Sequence, residues 1–167
     1  MKPLKVVFFQ RKPRKFGSFS VEFIFDTIRQ NLPPNIEGIY HQVKYESIGL
    51  WKRLYIIWEA AQHQGDVNHV TGDVHFLTLL LKKQKTVLTV LDVGFMKHPS
   101  KIARMILRLF WIILPLKKAQ VVTTISQATK EELLKYTNFP EEQIKVVYVP
   151  ISNKFKSIPK PFNKEKP

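Results

Sequence analysis

The chain has 167 residues, an apolar fraction of 44% and no cysteine. That length holds one domain with a real core and not two, and the missing thiols exclude a disulfide framework, a cysteine nucleophile and any Cys-based zinc site. Lys and Arg outnumber Asp and Glu by 27 to 13, and the net charge of +14 calls for an anionic partner: a membrane surface, nucleic acid or a phosphorylated substrate.

The N-terminal stretch MKPLKVVFFQRKPRK has an apolar run too short for the core of a secretory signal, so it is expected to be mature sequence that begins with a strand. Residues 6–10 (VVFFQ) read as a strand covered on both faces, as in a parallel sheet. Similar runs at 38–43, 67–70, 86–91, 121–125 and 145–149 predict five more strands, several rich in β-branched residues.

Segments of helical period separate these runs. Val21, Ile24, Phe25, Ile28 and Leu32 predict a first helix, with Ser20 placed to cap it and Pro33-Pro34 to end it, because proline has no amide donor and clashes with the turn before it. Leu50, Leu54, Ile57, Trp58 and Ala61 predict a second, Val74, Leu77, Leu80 and Leu81 a third, and Ile102, Ile106, Leu109 and Ile113 a fourth. A fifth starts at Ser126. Strand and helix thus alternate to about residue 149, the order that builds an α/β, Rossmann-like three-layer domain on a mainly parallel sheet of about six strands. Residues 1–150 are expected to form this domain. Residues 151–167, rich in proline and lysine and without apolar period, are expected to be a linker or tail toward a further domain.

In such sheets ligands bind at the carboxyl ends of the strands. The first strand runs into Arg11, Lys12, Arg14 and Gly17, a basic loop leading to a helix N-terminus, where a phosphate or a solvated loop fits equally; the single glycine excludes a dinucleotide-type or P-loop fingerprint. The third strand holds His69 near its end, and Asp73 and His75 follow the turn after it. Asp73 suits an N-cap, and a metal cluster can be drawn from the three, but structural roles are favoured. Asp92 leaves the fourth strand, either to orient or deprotonate a hydroxyl or to cap a turn. Ser126 caps the fifth helix, whose start can also face an anion.

On the fourth helix Lys101, Arg104 and Arg108 form a basic stripe, followed by Lys117 and Lys118, and the other side is strongly apolar. Arg108 and Pro115 interrupt the run too early for a bilayer span, but such a helix can lie among lipid headgroups, each cation near an anionic surface contributing about 1 kcal/mol. Trp111 and Phe110 suit either an interfacial anchor or the core.

The segments HVTGDVHFLTLLL, TVLTVLDVGF and AQVVTTISQATKEELLKY, followed by EEQIKVVYVPIS, resemble the N-terminal domain of family 4 retaining glycosyltransferases. The resemblance covers the chain to about residue 153 and is strongest over 119–151. It implies one half of a GT-B fold, in which an N-terminal Rossmann-like domain holds the acceptor, glycan or lipid-linked, and a C-terminal domain holds the nucleotide-sugar donor. It implies no metal and no cofactor, consistent with the missing D-x-D motif. It gives Asp92 the catalytic role, with Arg11, Lys12, Arg14, Gly17, His69, Asp73 and Ser126 toward acceptor or phosphate. Members carry a His-Asp pair after the fourth strand, and here Leu91 stands in place of the His; the glycine-rich first loop is reduced to Gly17. The expected location is cytoplasmic, peripheral on the inner face of the membrane. A rival reading is a non-catalytic basic subunit that binds a membrane or nucleic acid beside a separate donor chain, but aromatics that fall mostly in the apolar runs disfavour nucleic acid.

Overall fold

A computed structural model describes residues 2–12 and 20–149, with the backbone alone at Ser20 and Val21. Arg14, Gly17, the side chain of Ser20 and the expected tail at 151–167 lie outside the described residues. Among the described residues there are six strands: β1 (Leu4–Gln10), β2 (Ile36–Gln42), β3 (Val67–Val70), β4 (Thr86–Val90), β5 (Val121–Thr124) and β6 (Ile144–Val146). They form one sheet in the order β2-β1-β3-β4-β5-β6, and every pairing is parallel. The expected α/β, Rossmann-like architecture is therefore present, with the sheet wholly parallel instead of mainly so.

The helices are α1 (Ser20–Gln30), α2 (Leu50–Gln62), α3 (Lys101–Leu107), α4 (Leu114–Lys117) and α5 (Gln127–Lys135). Two expectations are corrected. The third predicted helix is a 3-10 segment, His75–Leu80, that keeps His75, Phe76, Leu77 and Thr78 buried. The fourth is interrupted between α3 and α4 by a π-helical stretch, Arg108–Ile113. Pro115 gives the physical reason, since it has no N–H to offer the Trp111 carbonyl four residues earlier, and the widened turn absorbs the mismatch.

Strand order and right-handed crossovers decide how the sheet is covered. Only the β1-to-β2 step moves toward the β2 edge, so α1 lies on one face and all later crossovers on the other. Burial follows with period two. Asn68, Val70, Leu88, Val90, Val122 and Thr124 point into the main core, where Ile56, Ala60, Ile112, Leu116 and Leu133 pack on them. Their neighbours Val67, His69, Val87, Val121 and Thr123 face the α1 side and are only half-buried, Thr89 on the same side being the exception at 5% exposed.

Candidate functional site

The carboxyl ends of β1 and β3 meet through one cation. Arg11 directs Nη1 to the Asp73 carboxylate at 3.1 Å and Nε toward Glu22 of α1 at 3.5 Å. Asp73 is therefore not the helix cap expected of it: the segment after it is capped at Val74 with no side-chain bond, because the carboxylate is held by Arg11. Gly72 makes this turn possible. It is buried with φ of 78°, a backbone region that costs L side chains dearly. Arg11, Lys12 and Asp73 share the lining of a cavity of about 120 Å³ with Glu46, Ser47 and Ile48. Beside them Gln10 is 2% exposed, and among the described residues neither atom of its amide has a partner.

His69 does not join this group. Its ring packs on Phe8 and Phe25 beneath α1, and its Nε2 meets the Thr89 hydroxyl at 2.7 Å, which in turn meets that of Thr123 at 2.8 Å. This polar row lies in an otherwise apolar cavity of about 230 Å³. Burial lowers the His69 pKa to about 4, so the ring is neutral at physiological pH. Among the described residues no three His, Asp or Glu side chains are placed to hold a metal ion.

Asp92 leaves β4 exposed and accepts the Gly94 amide at 2.8 Å, the turn-capping arrangement. Next to it lies a residue that the sequence brought forward only as a possible metal ligand. His75 is buried, and its Nδ1 lies 2.7 Å from the Trp111 carbonyl. Burial lowers its pKa most, against the bond to Trp111 and the charges of Asp73 and Asp92, which raise it. Both strand-end carboxylates thus act on one buried imidazole, a convergence that no sequence spacing announces. Ser126 caps α5 by accepting the Thr129 amide at 3.1 Å, and the Thr129 hydroxyl reaches the Leu91 carbonyl at 3.4 Å, tying this helix start to the end of β4.

The basic helix is split in its placement. Lys101, Lys117 and Lys118 are exposed without a bond among the described residues, the half-buried Arg104 bonds the carbonyls of His98 and Pro99, and Arg108, also exposed, bonds that of Tyr136. Of the two roles open to Trp111, its contacts show core packing: the ring meets Phe76 edge-on at 4.9 Å and its indole N–H donates to the Asp73 carbonyl. Phe110 stays exposed. No helix among the described residues is long and apolar enough to cross a membrane.

A wholly parallel six-stranded sheet covered by helices, with polar residues at its carboxyl edge, defines a Rossmann-like α/β domain. Among solved structures, the chain is similar to HepE (Alr3699) of Anabaena, solved in complex with UDP and glucose, with a TM-score of 0.58 at 14% identity. At that identity the likeness shows the fold alone. The match covers 89% of this chain and 45% of HepE, so the chain spans less than half the length of that structure. No protein-family model and no curated protein matches the sequence.

Proposed function

We propose that this chain is the acceptor-side half of a two-domain glycosyltransferase of the family 4 kind. Its partner half would hold a nucleotide sugar, and the sugar would pass to a glycan or lipid-linked acceptor at the cytoplasmic face of a membrane. One observation carries the reading: the parallel sheet delivers Arg11, Asp73, Asp92 and Ser126 from four different strand ends to a single edge, where open α/β sheets bind ligands. The similarity to HepE, whose structure holds UDP and glucose and is about twice as long, supports it.

Within this proposal Asp92 orients the acceptor hydroxyl, and Lys12 and Arg11, with Arg14 and Gly17 of the same loop, face acceptor or diphosphate oxygens. The unpaired amide of Gln10 supports a polar ligand on this side of the cleft. His69 contributes from within, by shaping the floor under α1. Lys101, Lys117 and Lys118 face anionic headgroups, with Arg104 and Arg108 beside them and Trp111 supporting the helix from the core.

Calorimetric titration of the chain with nucleotide sugars tests the assignment of halves. The expected result is no binding by the chain alone and sugar transfer once it is joined to a donor half. Tight nucleotide-sugar binding by the isolated chain would mean that it is the donor half.

A further inference from the structure

Helix α2 is apolar on two sides. Its inner side carries Ile56, Ile57 and Ala60 into the core, so of the stripe predicted for this helix only Ile57 is buried, while Leu50, Leu54 and Trp58 are exposed. Its outer side carries Trp51, Leu54, Tyr55 and Trp58, a stripe at i, i+3, i+4 and i+7, and all four are exposed, Trp51 to 82%. The α3–π segment repeats the pattern with Ile102, Met105, Ile106 and Leu109 at the same spacing, and these are exposed as well. The two stripes are continuous, since Leu54 and Ile106 line one apolar cavity of about 180 Å³ between the helices. Arg53 joins them from within, its guanidinium 4.8 Å over the Trp111 ring. A patch of this extent marks a protein or membrane contact.

Its charge chooses between them. The two stretches of chain, 50–62 and 101–118, carry Lys52, Arg53, Lys101, Arg104, Arg108, Lys117 and Lys118 against one carboxylate, Glu59. Glu59 is itself largely buried and held by the Lys44 amide at 3.1 Å and His41 at 3.8 Å. Arg108 and Lys117, with Lys83, also line a cavity of about 400 Å³ that has no carboxylate in its wall. Protein interfaces are depleted in lysine, whereas a bilayer surface favours tryptophan over an apolar face rimmed by Lys and Arg. A nucleic acid needs aromatic platforms, and the α3–π stripe that completes this face is aliphatic.

We infer that α2 and the α3–π segment together form a docking face for an anionic lipid bilayer, with Trp51 and Trp58 entering the headgroup boundary and the lysines around them meeting lipid phosphates. The inference extends the membrane side of the proposed function, in which α2 had no part, but its test reads no sugar transfer. Its failure is therefore distinct from that of the glycosyltransferase reading.

The test uses the whole chain with vesicles of phosphatidylcholine alone or mixed with phosphatidylglycerol, read by sedimentation and tryptophan fluorescence. Two of the three tryptophans lie on the face and Trp111 does not, so the emission reports the contact directly. The expected result is binding to the anionic vesicles only, weakened by salt, with a blue shift in emission. The W51S/W58S variant, folded by circular dichroism, should bind at least tenfold more weakly and lose the blue shift, and K101E/K117E/K118E should bind more weakly with the blue shift reduced in proportion. Unchanged vesicle binding by W51S/W58S overturns the inference. So does a lipid-free chain that dimerises through this face, or a preference for a single-stranded oligonucleotide over the vesicles that W51S/W58S abolishes.

Discussion

The Nδ1 of His75 donates to the carbonyl of Trp111, the carbonyl to which Pro115 has no N–H to offer. A proline in a helix and a histidine forty residues earlier are thereby one structural unit.

His75→Ala should destabilise the chain by about 1–3 kcal/mol for the lost bond, with a cavity contribution added to it. Pro115→Ala restores an amide near the Trp111 carbonyl, so the cost of His75→Ala should be smaller in that background. Urea unfolding of the four proteins of this cycle measures the difference, and strictly additive effects would show that the two residues are independent.

The buried His75 and the half-buried His69 and His41 make stability depend on pH in one direction. His69 has its pKa lowered to about 4 by burial, against an ordinary value of 6.5, and burial also lowers those of His75 and His41. The unfolded chain takes up protons at these sites before the folded one does. Stability is therefore fully present above pH 6.5 and falls as the pH is lowered from 6.5 toward 4, by His69 alone on the order of 3 kcal/mol at most. In His69→Phe, which keeps the ring contacts, the decline across this window should be shallower than in the parent chain. Parallel profiles in urea titrations at pH 4.5, 5.5 and 7 would contradict the assignment.

Arg11 and Asp73 should be coupled. Arg11→Met and Asp73→Asn, alone and together, are expected to show an interaction of about 1–2 kcal/mol, since the guanidinium is 16% exposed and sits between two carboxylates. A coupling within error of zero, or one abolished by 0.5 M salt, would place the pair with ordinary surface ion pairs, screened and weak.

At Asp92 two substitutions separate a turn from chemistry. Asp92→Asn keeps an oxygen for the Gly94 amide and should leave stability unchanged, whereas Asp92→Ala loses the cap and about 1 kcal/mol. In an enzyme completed with its donor half, both should lower turnover, by roughly a hundredfold or more if the carboxylate handles the acceptor proton. Wild-type turnover in Asp92→Asn removes Asp92 from the catalytic role.

Ser126→Ala should cost about 1 kcal/mol, the usual value of an N-cap, because the hydroxyl also bonds Thr129 at 2.9 Å. Thermal unfolding measures it. A change below 0.3 kcal/mol would show that the free end of α5 is satisfied by other groups.

What could be read from the residues was what depends on local period. Continuous apolar runs marked all six strands, to within a few residues, the i, i+3, i+4 spacing marked α1, α2 and α3, and Ser126 as a cap marked the start of α5, because period and capping are local signals. His75–Leu80 was read as a helix because Leu77, Leu80 and Leu81 keep helical spacing whether the turn is 3-10 or α; only backbone hydrogen bonding distinguishes them. Partners distant in sequence left no trace. Arg11 lies 62 residues from Asp73 and His75 lies 36 from Trp111, so the cap expected of Asp73 lost to a cation that only the β1–β3 pairing brings near. The outer stripe of α2 was hidden differently: Leu54 and Trp58 were assigned to the same apolar set as Ile57, and a helix apolar on two sides does not declare which side is inner.

The uneven covering of the sheet also sets how this sequence can change. Along β4 the side chains of Leu88 and Val90 are enclosed by the main core, while Val87, between Thr86 and Leu88, lies on the half-covered side. On β5 the same alternation separates Val122 from Val121 and Thr123. Neighbouring positions in one strand therefore live under opposite constraints, one intolerant of even a single methylene and the next open to exchange. Relatives of this chain should drift with a two-residue rhythm along β3 and β5, and a deep substitution scan would recover from tolerance alone which positions face the main core.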